Sequence, residues 1–184
     1  GTYYLQTGRD TLGKLLFKGA VEAHPEDYRA NIEYTSLLYY LQSWEELAEQ
    51  VERSLHYFPE DRSLMEILPI AYWRNGDLDK AIAHYENIIK GLSKKDTTAY
   101  IHYSTLGDLY HEKGNSKKAY SCYNKALKIN PDYNPALNNY AYFLCLEGKD
   151  LKKAAKMSKK TILSEPDNPT YLDTYAWILY QMKE

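Results

Sequence analysis

Tyr103-Ser104-Thr105-Leu106-Gly107-Asp108-Leu109-Tyr110 opens a stretch that continues through Gly114, Ala119, Tyr123 and Ala126 to Pro131. Tyr103, Leu106, Leu109 and Tyr110 recur at spacings of three and four, which puts them on one face of a helix. Ala119, Tyr123, Ala126 and Leu127 do the same for a second helix. Gly114 stands between the two runs and Pro131 ends the second, so the stretch predicts two amphipathic helices joined by a tight turn. A lone hairpin of this kind cannot bury its apolar stripe, and stacking further hairpins against it supplies the missing cover.

The breakers show that the pattern repeats. Pro25 and Pro59 are 34 residues apart, Pro131 and Pro166 are 35 apart, and Gly114 and Gly148 are 34 apart. Gly8 to Gly76 is 68, twice that period. Pro59 to Pro131 is 72 and Gly76 to Gly114 is 38, so both residue types place one four-residue insertion in the same interval. Gly91 and the run Ser93-Lys94-Lys95-Asp96 are its expected place. Small residues recur where helices must approach closely: Gly107, Ala141 and Ala176 on the first helices, Ala81, Ala119 and Ala154 opening the second.

Composition fits this reading. The 184 residues include only 9 Gly and 7 Pro, and sparse breakers favour long helices over many short strands. Lys+Arg is 23 and Asp+Glu is 25, a net charge of −2 that gives no general attraction to nucleic acid or anionic membrane. No apolar run approaches the roughly 20 residues of a membrane-spanning helix. The opening Gly1-Thr2-Tyr3-Tyr4-Leu5-Gln6 has no basic region followed by an apolar run, so no signal peptide is expected in this stretch. Cys122 and Cys145 are too few for a disulfide framework and read as small helical residues.

The pattern Tyr103-x2-Leu106-Gly107-x2-Tyr110, Gly114, Ala119-x3-Tyr123-x2-Ala126, Pro131 resembles the tetratricopeptide repeat, with Tyr103 where that family often has Trp. The resemblance implies an all-α fold: an α-solenoid of stacked antiparallel helix pairs wound as a right-handed superhelix. Residues 1–184 read as a single array. A partial unit spans 1–27, full units span about 28–61, 62–99, 100–133 and 134–168, and a terminal partial unit or cap helix spans 169–184. Asp27 and Asp61 are expected N-caps, and Asn134-Pro135 and Asn168-Pro169 read as caps followed by proline in the first turn. Gly91 reads as a helix C-terminus.

Departures from the pattern carry information. Pro69 falls inside a first helix and predicts a kink, because its ring clashes with the carbonyl of Met65 and removes one hydrogen bond. Unit 28–61 is the most degenerate: Gln42 stands at the turn glycine and Leu47 at a small-residue position. The last helix would present Tyr171, Leu172, Tyr175, Ile178 and Leu179 to a neighbour, which allows self-association through an exposed end. The chain reads as a slice of a longer protein, or as one whose last helix serves as a cap.

Catalytic and metal motifs are absent from the sequence. His24, His56, His84, His102 and His111 show no metal-ligand spacing, and Gly114-Asn115-Ser116-Lys117-Lys118 is a turn without the glycine spacing of a phosphate loop. No catalytic residue, metal or cofactor is assigned, and no enzyme activity is expected. Lys152, Lys153, Lys156, Lys159 and Lys160 read as a solvated outer face. Tyr34, Tyr72, Tyr85, Tyr103, Tyr110, Tyr123, Tyr140 and Tyr175 are expected in helix packing.

The resemblance places other side chains along a concave groove. These include Ser36, Ser104, Asn138 and Cys145, together with the candidate ligand contacts Tyr39, Tyr40, Trp73, Arg74, Asp108, His111, Glu112, Tyr142 and Trp177. Tyr, Trp and Arg bury much area while keeping a polar tip, which suits recognition. Some family members hold chaperone tails through Lys, Asn and Arg; here the corresponding positions are mainly Ile32, Ser36, Ile67, Ile101 and Thr105, which disfavours that ligand. The expectation is a non-catalytic protein–protein interaction scaffold that takes a peptide or partner helix in its groove. Nucleic acid is not an expected partner. Two alternatives are glycan binding by the aromatic groove and a scaffold segment of a larger multidomain protein. Ala136–Tyr142 and Tyr171–Trp177 resemble tetratricopeptide-only proteins of bacteria, which favours a bacterial envelope location over the cytoplasm.

Overall fold

A computed structural model describes residues 10–93 and 96–183. They form ten α-helices: α1 (Asp10–Ala23), α2 (Tyr28–Tyr40), α3 (Trp44–Tyr57), α4 (Arg62–Arg74), α5 (Leu78–Gly91), α6 (Ala99–Glu112), α7 (Ser116–Ile129), α8 (Asn134–Leu146), α9 (Leu151–Ser164) and α10 (Pro169–Met182). No strand occurs among the described residues. The chain divides into two compact units, one ending at His84 and the other beginning at Tyr85.

In the first unit α1 packs on α2, α2 on α3, and α3 on α4. Tyr34, Leu37 and Leu38 of α2 meet Leu47 and Val51 of α3 in a core closed to water, with Leu64 and Leu68 of α4 equally buried. Each such side chain contributes about 1.5–3 kcal/mol by leaving water. In the second unit α6 pairs with α7 and α8 with α9, and the first helices α6, α8 and α10 also pack in succession. Its core is aromatic and small together: Tyr110, Tyr123 and Tyr140 are buried beside Ala119, Ala126, Ala141 and Ala154. Tyr123 lies nearly parallel to Tyr140, with centroids 5.3 Å apart. Of the eight tyrosines expected in packing, Tyr103 and Tyr175 are half-buried and the other six are buried.

The turns explain the glycine period. Gln42, Gly76, Gly114 and Gly148 all have positive φ, between 54° and 88°. After each, a backbone N–H reaches five residues back: Ser43 to Leu38, Asp77 to Tyr72, Asn115 to Tyr110 and Lys149 to Leu144, at 2.7–3.0 Å. This left-handed helix stop needs the mirror conformation that glycine adopts freely. Gln42 adopts it with a side chain attached, so the degenerate unit keeps the turn without the residue that announces it. The inter-pair loops 58–61, 130–133 and 165–168 are short, whereas the one between α5 and α6 is longer and holds the four-residue insertion.

Caps follow the sequence with one correction. Asp27 accepts from the Ala30 N–H, Asp61 from the Leu64 N–H and Asn168 from the Thr170 N–H. Asn134 is not a cap: α8 begins on it with Tyr133 at the cap position. Its amide instead donates to Ser164 Oγ at 3.1 Å and Glu165 Oε1 at 2.7 Å, tying α8 to the end of α9. Helix α4 runs on through the buried Pro69 to Arg74 with no interruption. Ile178, expected on the open face of α10, is fully buried, because it points with Thr174 into the packing on α8 and α9. Leu172 is exposed, and Tyr171, Tyr175 and Leu179 are half-buried.

Candidate functional site

Two regions carry the candidate contact residues, one in each unit. In the first unit, Tyr39 and Tyr40 end α2, Gln42 holds the turn, Trp44 starts α3 and Arg74 ends α4. These five side chains line an open cleft of about 590 Å³. Tyr39 meets Trp44 edge to face, with centroids 5.5 Å apart and an 86° interplanar angle, the arrangement ring quadrupoles favour. The left-handed turn at Gln42 folds the chain back, so residues five apart in sequence come into ring contact. Tyr39 is 46% exposed and Tyr40 71% exposed, large apolar areas for a surface. No described residue pairs with the Arg74 guanidinium. The structure thus brings together three expected contacts, Tyr39, Tyr40 and Arg74, and adds Gln42 and Trp44. The available signal for Gln42 was its place at a turn glycine. Trp73 is half-buried next to the cleft.

In the second unit the candidates divide differently. Asp108 is spent internally: its Oδ1 accepts from the Tyr123 hydroxyl and from Asn139 Nδ2 at 2.9 Å. Burial pushes its carboxyl above the ordinary range, against the two hydrogen bonds that favour the charged form. His111 is stacked on Phe143 at 3.5 Å and 13°, and its Nε2 lies 3.7 Å from Glu147 Oε1. Burial lowers its pKa, so the ring favours the neutral form. Glu147 also accepts from Ser116 and, at 2.6 Å, from Lys149, and these bonds bring its carboxyl down to about 2. Asp108 and His111 therefore serve helix packing rather than an open groove. Ser104, Asn138 and Cys145 are likewise buried. Tyr142, Trp177 and Glu112 remain exposed, Tyr142 edge-on to Phe143 and Trp177 stacked on Tyr180.

Among the described residues no group of three or more His, Cys, Asp or Glu side chains could hold a metal ion, and no helix is long and apolar enough to cross a membrane.

Antiparallel helix pairs at a 34-residue period, each turned by a left-handed stop, give the chain a tetratricopeptide-repeat-like fold. Residues 101–133 match the tetratricopeptide repeat family model. Two curated relatives are similar. The uncharacterized protein ycf37 of Pyropia yezoensis is 43% identical over 68 residues, 37% of this chain and 38% of that protein. The photosystem I assembly protein Ycf3 of Rippkaea orientalis is 26% identical over 117 residues, 56% of this chain and 66% of that protein. The chain thus spans less than two thirds of either relative. The crystal structure of a tetratricopeptide repeat protein from Parabacteroides merdae superposes with a TM-score of 0.76 at 15% identity, covering 99% of this chain and 70% of that one. That likeness is one of fold.

Proposed function

We propose that the chain is a non-catalytic scaffold for protein–protein interaction, and that the cleft of Tyr39, Tyr40, Gln42, Trp44 and Arg74 anchors a peptide segment of its partner. The observation that carries this reading is the cleft itself: exposed tyrosine rings and the Tyr39–Trp44 ring pair beside a guanidinium that no described residue pairs with. Aromatic and arginine side chains supply most of the energy at interfaces when they are preorganised. The similarity to a photosystem I assembly protein supports the partner class: segments of photosystem I components. That relative also shifts the expected setting away from the bacterial envelope. The single array of residues 1–184 and the contacts Tyr142, Trp177 and Glu112 stand as part of the same proposal, as a second, weaker contact region.

The test is a peptide array covering the water-exposed segments of photosystem I subunits, probed with the labelled chain. Binding is expected to fall at least tenfold in Trp44→Ala and in Arg74→Gln. Hits that persist unchanged in both variants would move the anchor elsewhere, and an array without hits would remove the partner class.

A further inference from the structure

The net charge of −2 conceals a segregation by helix. The second helix of the first complete hairpin, α3, carries Glu45, Glu46, Glu49 and Glu52 against Arg53 alone. The second helices of the second unit reverse this. Helix α7 holds Lys117, Lys118, Lys125 and Lys128, and α9 holds Lys152, Lys153, Lys156, Lys159 and Lys160; neither contains an Asp or Glu. The first helices of that unit are acidic or neutral: α6 has Asp108 and Glu112, α8 has no charge and α10 has Asp173. Nine lysines thus lie on the helices that do not carry the groove candidates. Lys160 of α9 reaches back to Asp132 and the Pro131 carbonyl in the turn after α7.

A cleft of about 340 Å³ opens into this surface between α5, α6 and α7. Its lining includes the buried Leu106 and Cys122, the half-buried Ile89 and the side chains of Tyr103 and Tyr110. Lys90, Lys118 and Lys125 stand around it. Two of the ammonium groups are fixed over tyrosine faces, Lys118 at 4.7 Å from the Tyr110 centroid and Lys125 at 5.3 Å from Tyr103. The acid in the lining, Glu86, is occupied by the Tyr110 hydroxyl at 2.6 Å. The cleft lining therefore carries three cations against one carboxylate, an excess of positive charge beside apolar side chains.

From this we infer that the back of the second unit is a separate docking surface for an acidic polypeptide segment, which sets an apolar side chain on Leu106 and Ile89 and its carboxylates against Lys90, Lys118 and Lys125. Charge complementarity selects the class of partner. Apolar side chains set among lysines favour a partner that brings an apolar side chain and carboxylates on one short segment, as an acidic peptide does. The surface shares no residue with the Tyr39–Arg74 cleft.

The experiment uses the full chain and a fluorescein-labelled peptide of alternating Glu and Leu, with a Gln-and-Leu peptide as control, read by fluorescence anisotropy. The Glu peptide is expected to bind and the Gln peptide to bind at least tenfold more weakly, with affinity falling steeply as salt is raised. Lys90→Gln, a change at an exposed residue with no packing role, should weaken binding about threefold, and Lys118→Gln with Lys125→Gln at least tenfold. Lys156→Gln with Lys159→Gln on α9 should matter less than twofold, and Trp44→Ala not at all. Equal binding of both peptides, or loss through α9 rather than α7, would overturn the inference. So would binding to phosphatidylserine vesicles or single-stranded DNA with none to the peptide. A loss in Trp44→Ala alone would return the peptide to the first cleft and leave no second surface.

Discussion

The hairpins 28–57 and 99–129 share one backbone plan and almost no consensus residues. Residues 72 apart occupy the same place in the two: Asn31 and Tyr103, Thr35 and Gly107, Leu47 and Ala119, Val51 and Tyr123, Ser54 and Ala126. In the later hairpin Tyr123 lies against Gly107, where a β-carbon would come within 2.5 Å of the ring. In the earlier one the volumes are traded, with the larger Thr35 across from the smaller Val51, and both are buried. The earlier hairpin also places a polar knot where the later one is apolar. Asn31 donates to the Pro25 and Asp27 carbonyls and accepts from Gln50 and Ser54, all at 2.8–3.0 Å. A helix pair thus tolerates either solution provided that total volume is conserved; the Asn31 knot is paired, whereas the buried Thr35 hydroxyl has no hydrogen-bond partner among the described residues.

The sharpest test of volume trading is a double-mutant cycle in the later hairpin. Tyr123→Val empties the space above Gly107 and removes the hydroxyl bond to Asp108; a loss of about 3 kcal/mol in urea unfolding is expected. Adding Gly107→Thr installs the earlier hairpin's solution and should recover about 1 kcal/mol, whereas Gly107→Thr alone should destabilise. Additive losses would break the comparison.

Next in size is Asn31→Leu. It removes the acceptor that Gln50 and Ser54 share and leaves them only their bonds to each other and to Arg53; a cost of about 1–2 kcal/mol is expected, with urea unfolding as the readout. If the variant is as stable as the parent, the knot does not hold the earlier hairpin.

The turns invite a reciprocal exchange. Gln42→Gly relieves a left-handed side chain and should stabilise by about 0.5–1 kcal/mol, and Gly114→Gln should cost about 1 kcal/mol, both seen as shifts in Tm.

The smallest effect expected concerns acid. Glu147 titrates near 2 in the fold, below its ordinary value, so the stability it contributes is present above about pH 4.5 and is lost as pH falls toward 2. Asp108 has the opposite sign: its raised pKa favours the fold when protonated. Glu147→Gln should flatten the fall in Tm between pH 4.5 and 2, and Asp108→Asn should steepen it slightly. Thermal melts across that range give both.

The helix pairs were legible because breakers at a fixed period are local facts. Gly76, Gly114 and Gly148 mark turns whatever the rest of the chain does, and Asp27, Asp61 and Asn168 cap by their own chemistry. Asn134 looked the same in sequence but is drawn off by Ser164 and Glu165, 30 and 31 residues away. The site was less legible for a related reason. Helical spacing says that Asp108 and His111 share a face with exposed residues, but not that Asn139, Tyr123 and Phe143 will engage them. Trp44 reads as an ordinary helix start until the Gln42 turn swings it onto Tyr39. Charge segregation was written in the lysines of α9, and its meaning changed once α7 was seen to share it.

Cys122 and Cys145 are both buried, reduced and confined to residues 85–184. Alkylating reagents therefore clock the opening of that half alone, while in a Trp177→Phe variant the emission of Trp44 and Trp73 follows the other. The chain carries its own pair of independent reporters, and measuring both in one sample would reveal whether the halves melt together or in turn.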